Sequence, residues 1–256
     1  MKISLFILIA GLAAPVMLFA AEPSNGSNTH EPTKSAPVFD AAGKRIVLGS
    51  KVLQIFPSGY LSFLYSGREI SKIFFYGSTP YSSWMTNQKK DISVPCKYGR
   101  WLGVDSFETD EEGKSFTVKG KIPYHKKSDN ELLGDYRFAV KLLESGKVSI
   151  RLEMTRPAGR SKEGGMNIMW VTPGAVKYLV NGKENVFPTD KRKQNQHWRP
   201  KTVQVVTGKA SDAFSLSPKS AMTFFARQGN LLALTPLPDK KNPDRCVIEV
   251  ELDAGK

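Results

Sequence analysis

Cysteine is nearly absent from this 256-residue sequence, which has only Cys96 and Cys246. Neither belongs to a CxxC pair or has metal-ligand spacing, so thiol-redox and zinc-ribbon classes have no support. Histidine is scarce too, with His30, His125 and His197 in all. No HExxH or HxH occurs, so a zinc hydrolase would lack its usual ligands. There is no GxSxG elbow and no phosphate-cradling GxxxxGK[ST] loop. No stretch of about ten or more residues reads as an amphipathic helix, which argues against doubly wound α/β folds and (β/α) barrels. A fixed internal period is missing as well, and with it the signature of a propeller. Acidic residues are in deficit, 24 against 37 basic ones, for a formal charge of +13.

Only one long apolar run is present. It extends from Ile3 to Ala21 behind Met1 and Lys2, with small residues at Ala20 and Ala21. That arrangement predicts a secretory signal peptide over 1–20, with an uncleaved anchor as the rival reading. No membrane span is expected after cleavage, which would remove only Lys2 among the charges and leave +12. The next segment, 21–39, is expected to be a flexible linker, since residues 22–37 hold no large apolar side chain to offset ordering entropy. Asn25-Gly26-Ser27 within it matches the glycosylation pattern. Residues 40–256 then form a single domain, of a size at which all-β folds often remain undivided. A secreted or periplasmic location follows. In such oxidising surroundings Cys96 and Cys246 are expected to form one disulfide, the alternative being two separate thiols.

The body of the chain alternates with period two. In DYRFAVKLLESGKVSIRLEMT (135–155), Tyr136, Phe138, Val140 and Leu142 share one face. Beyond Glu144-Ser145-Gly146-Lys147, the residues Val148, Ile150, Leu152 and Met154 repeat the pattern. Two such runs around a short glycine turn predict a hairpin with one buried face. Asn181-Gly182 is the strongest local hairpin signal in the chain. Further strands are read at 45–56, 60–65, 69–76, 100–107, 115–121, 167–171, 175–180, 202–206, 213–216, 222–226, 231–234 and 245–252. The predicted fold class is therefore all-β, a large antiparallel two-sheet sandwich with few or no helices beyond the signal peptide. By strand count and rhythm over roughly 45–252, it resembles the supersandwich of galactose-mutarotase-like domains. That likeness concerns architecture and carries over no residue role.

Candidate chemistry is thin. Glycoside chemistry needs two facing carboxylates, a geometry that sequence hides. The cluster Asp105, Glu108, Asp110, Glu111 and Glu112 falls mostly at a hairpin tip, where solvated turn residues are expected. Glu153 and Asp135 lie along a regular hairpin, and His125 sits in a polar connection with no identifiable partner. No metal site and no cofactor is predicted. KRKQNQHWRP (191–200) is the densest mixture of charge, amides and an aromatic. Its composition favours a solvated loop, with Trp198 pinning that loop to the body. If it binds, the contacts are Trp198, Arg199, His197 and Arg192, with Trp84 as a second aromatic platform. Indole and arginine suit sugar stacking and interface anchoring, and the net charge attracts anionic polymers.

The leading expectation is thus an exported protein that binds a carbohydrate or cell-envelope polymer, anionic or neutral, without catalysis. One alternative is a polysaccharide hydrolase or lyase with scattered carboxylates. The other is a structural or protein-interaction component of the envelope. No specific nucleic-acid partner is expected, and the oligomeric state is left open.

Overall fold

A computed structural model describes residues 36–78, 83–85, 95–96, 99–123, 132–157 and 165–255, with 78, 83–85, 95–96, 99–101, 123 and 132–133 described by backbone alone. In chain order the strands begin with β1 (Val38–Asp40), β2 (Arg45–Leu48), β3 (Lys51–Ile55), β4 (Leu61–Tyr65) and β5 (Arg68–Ser78). Three short ones follow, β6 (Ser83–Met85), β7 (Pro95–Cys96) and β8 (Gly99–Trp101). Next come β9 (Ser106–Asp110), β10 (Ser115–Pro123), β11 (Leu132–Leu142), β12 (Val148–Thr155) and β13 (Gly165–Val171). The remainder are β14 (Ala175–Val180), β15 (Lys183–Asn185), β16 (Gln194–Trp198), β17 (Val203–Thr207), β18 (Phe214–Pro218), β19 (Met222–Arg227), β20 (Leu231–Pro236) and β21 (Arg245–Asp253). The one helical element among the described residues is a single 3₁₀ turn at Ala210–Asp212. Among them, no helix is long and apolar enough to cross a membrane.

These strands form two sheets. The twelve-stranded sheet runs β1-β2-β3-β4-β5-β13-β20-β19-β16, with β6, β7 and β8 attached beside β5. The nine-stranded sheet runs β15-β14-β17-β18-β21-β12-β11-β10-β9. Pairing is antiparallel except between β6 and β8. The chain is all-β, and its two large antiparallel sheets match a sandwich of the supersandwich type.

Alternation explains why these segments are strands and which way they face. In β12, Val148, Ile150, Leu152 and Met154 are all essentially inaccessible, while Ser149, Arg151 and Glu153 between them face out. Each such burial stabilises the fold by roughly 1.5–3 kcal/mol. Aromatic rings join the two layers. Phe75 of β5 meets Phe138 of β11 with centroids 4.4 Å apart, and Trp170 of β13 stacks on Phe214 of β18 at 5.5 Å. The Asn181-Gly182 turn forms between β14 and β15, with φ of 52° and 80° at the two positions. Positive φ at both central residues gives the twist that a two-residue hairpin needs.

Four features depart from the sequence reading, the first being that the strand expected over 100–107 is divided between β8 and β9. The strand expected over 45–56 is a hairpin, because Gly49 adopts φ 66° and folds β3 back on β2. β1 begins at Val38, inside the segment expected to be a linker, and Phe39 packs on Phe116 at 4.6 Å. KRKQNQHWRP holds a strand, β16, rather than only a loop.

The expected disulfide is not formed. Cys246 is a free thiol whose Sγ accepts a hydrogen bond from Arg156 Nη2 at 3.1 Å. Cys246 lies on β21, paired opposite Met154 within the nine-stranded sheet, whereas the backbone of Cys96 belongs to β7 on the other sheet. The signal peptide expected over 1–20, Asn25, His30 and His125 lie outside the described residues, as do the side chains of Cys96 and Trp84.

Candidate functional site

Among the described residues β16 is the last strand of its sheet and pairs on one side only, with Gln196 opposite Phe225, His197 opposite Phe224 and Trp198 opposite Thr223. Its entrance is a turn held by Asp190, whose Oδ1 accepts the Arg192 amide at 2.8 Å. Its exit is set by Arg199, which takes φ 47° and donates its amide to the Met222 carbonyl. The returning chain is tied down by Asn181, whose Oδ1 accepts the amides of Lys201 and Thr202. Lys191, Arg192, Lys193, Arg199 and Lys201 are exposed around this edge. Charge of that kind deters another strand from pairing onto an open edge.

Alternation along β16 divides the candidate residues between two faces. Asn195 and His197 turn toward the nine-stranded sheet, whereas Gln194, Gln196 and Trp198 are exposed. The indole of Trp198 is 66% exposed, so it does not pin a loop to the body. Arg192 and Arg199 flank this strand at either end. Trp84 belongs to β6, which pairs with β5 near the middle of the sheet rather than beside β16.

Between β16 and β15, the facing edges of the two sheets, lies an open groove of about 590 Å³ lined by Glu184, Asn185, Val186, Asn195, Gln196 and His197. A polar network sits at its inner wall. Asn195 Nδ2 donates to the Val186 carbonyl and to the Tyr178 hydroxyl, both at 2.9 Å. The carbonyl can only accept, which fixes the amide orientation. With that lone pair engaged, Tyr178 can direct its proton at His197 Nε2, 3.3 Å away. His197 then carries its proton on Nδ1. Burial, aided by Lys183, holds the imidazole below its ordinary range. Burial also raises the Tyr178 hydroxyl, against the opposing effect of Asn195. Both groups are therefore neutral near neutral pH. Glu184 in the groove wall is engaged by Lys177 Nζ at 2.6 Å. Amides, a neutral imidazole and a partly apolar wall can bind hydroxyl groups.

Carboxylates gather elsewhere. A second groove, of about 360 Å³ on the outer face of the nine-stranded sheet, is lined by Asp105, Asp135 and Glu153 with Lys119, Tyr136 and Arg137. Glu153 is held below the usual carboxylate range, chiefly by its hydrogen bond from Arg245 and also by Arg151. It is an ionised ion-pair partner and a poor general acid. The acidic hairpin tip does form the β9–β10 turn, with Asp110 Oδ1 accepting the Gly113 amide at 2.9 Å. Among the described residues no group of three or more His, Cys, Asp or Glu side chains is arranged to hold a metal ion.

Sequence reading missed Tyr178, because an inward tyrosine on a strand looks like any core residue. By alternation Arg137 and Arg151 belong to the exposed face of the 135–155 hairpin, where they read as solvated charges. Their shared face follows from parity along the hairpin, but the pairing of β12 with β21 that adds Arg245 to them does not. No protein-family model and no curated protein matches the chain.

Proposed function

We propose that this chain is an exported, secreted or periplasmic protein that binds a carbohydrate or cell-envelope polymer without catalysis, using the β16 edge. The observation that carries the reading is Trp198: a large indole facing water from a regular hydrogen-bonded strand. An aromatic face held this way stacks on a pyranose ring at low entropic penalty, because the strand has already fixed its backbone. Gln196 on the same face, and Arg199 and Arg192 beyond the strand ends, supply donors for hydroxyl or acidic substituents. The neighbouring groove beside His197 offers a second row of polar contacts.

The test is a polysaccharide binding screen on the full chain and its Trp198→Ala variant, at low salt and at about 150 mM, where surface attractions between separated charges are largely screened. Binding to one polymer should survive salt and weaken at least about tenfold without the indole. Equal binding by both proteins, confined to low salt, would reduce KRKQNQHWRP to a charged edge. Release of new chain ends from any bound polymer would move the protein to the enzyme class.

A further inference from the structure

The outer face of the nine-stranded sheet brings together three arginines from three strands. Arg137 on β11 stands directly opposite Glu153 on β12, and Arg151 on β12 stands opposite Glu249 on β21. Arg245 begins β21 and donates Nε to Glu153 Oε1 at 2.6 Å. Arg151 bonds Glu249 through Nη1 at 2.6 Å and Glu153 through Nη2 at 3.2 Å. Three guanidiniums thus face two carboxylates. Arg137 makes no close ion pair among the described residues, although its charge helps to hold the Glu108 carboxyl below its usual range, after the hydrogen bonds from Lys119 and Ser106.

These groups surround a recess. A groove of about 460 Å³ is lined by Arg137, Ala139, Arg151, Glu153 and Arg245. Ala139 forms its floor, since a methyl group stands where the neighbouring outward positions of β11 and β12 carry long side chains. The recess is of ligand size. Arg137 and Glu153 also line the 360 Å³ groove described above, so the two recesses share a wall along the sheet. A track of this kind accommodates successive units of a chain rather than a single small molecule.

We propose that this face is a second site, separate from the β16 edge, which binds the carboxylates of an acidic, uronate-type polysaccharide with Arg137 as the anion contact. A planar guanidinium matches a carboxylate through two parallel hydrogen bonds. Arg151 and Arg245 are already oriented by their glutamates, so little ordering is required when a ligand arrives. Glu153 sets the charge limit. Within the 460 Å³ groove three guanidiniums stand with one lining carboxylate, which suits a carboxylate-bearing chain, while a dianionic phosphate would meet the ionised Glu153 at close range. Glu153 and the neighbouring Asp135 accept hydrogen bonds from ring hydroxyls. The proposal draws on the polymer reading only for the source of the carboxylate, and it does not involve Trp198.

The test titrates the full chain with trigalacturonate, with its methyl ester and with inorganic sulfate, by calorimetry at about 150 mM salt. The acid should bind, while the ester and sulfate should be at least about tenfold weaker. Arg137→Ala should lose at least about tenfold for the acid, and Arg137→Lys should fall between, keeping charge without the fork. Lys141→Ala removes the same charge from an exposed position on the same strand outside the groove, and should bind as the parent does. Melting temperatures of all three variants should match the parent, which separates binding from folding. Equal affinity for acid and ester, equal losses in Arg137→Ala and Lys141→Ala, or no binding of the acid overturns the proposal. Trp198→Ala should leave trigalacturonate binding intact. If Trp198→Ala abolishes it and Arg137→Ala does not, the β16 reading survives and this one falls.

Discussion

β12 and β16 are both strands with strict alternation, yet they are stabilised by different physics. β12 lies inside its sheet, with Ile150 and its inward neighbours sealed from water. β16 closes the edge of the other sheet, and its inward positions are Asn195 and His197, both only partly covered. The first strand is held by burial. The second is held by hydrogen bonds to β19 and by the network reaching Tyr178 and Val186. A strand of the second kind leaves its outward side chains free for other duties, which is where Trp198 stands.

That contrast yields graded expectations. Ile150→Ala should destabilise the fold by about 2–5 kcal/mol in denaturant titration, since it empties a sealed position between sheets. A loss below about 1 kcal/mol would show that the β12 core relaxes far more than its burial implies. Asn195→Ala removes two hydrogen bonds at a partly wet site and should lose about 1–2 kcal/mol, measured the same way. Smaller still is the effect of pH on His197. Its folded imidazole is lowered by burial first and Lys183 second, so the unfolded chain binds more protons there. That contribution is fully present above the unfolded value of 6.5 and is lost as pH falls through the lowered folded one. His197→Gln should therefore flatten the fall in melting temperature between about pH 7 and about pH 5, above the range where carboxylates titrate. An unchanged slope would place the titrating group elsewhere. Trp198→Ala should move stability by no more than about 0.5 kcal/mol, because an exposed indole contributes little to packing.

The same contrast governs what could be read in advance. The β11–β12 hairpin was legible because burial forces apolar residues onto every second position, and Gly146 marks the turn. β16 was illegible as a strand: with one face in water and the other in a polar network, nothing in Gln-Asn-Gln-His-Trp alternates by hydrophobicity. Exposure of Trp198 could not be read either, since it depends on which face the pairing with β19 turns outward. Of the arginine groove, half was available locally, as Arg137 and Arg151 share a hairpin face. Arg245 joins them only through pairing across 92 residues. The cysteine pair failed for a related reason, because compartment and count say nothing about where each residue lies or what its thiol meets, which for Cys246 is the Arg156 guanidinium.

Among the described strands β21 comes last in the chain, yet it lies between β18 and β12 in the interior of its sheet. Four strands on one side and four on the other have no direct pairing until it arrives. A chain emerging in order from a ribosome or a translocation pore therefore spends its maturation as two half-sheets, each with an unpaired interior edge. Contacts of such long sequence separation form slowly. For this molecule the vulnerable interval is the wait before β21, and protection by a chaperone or by speed of delivery is most valuable then.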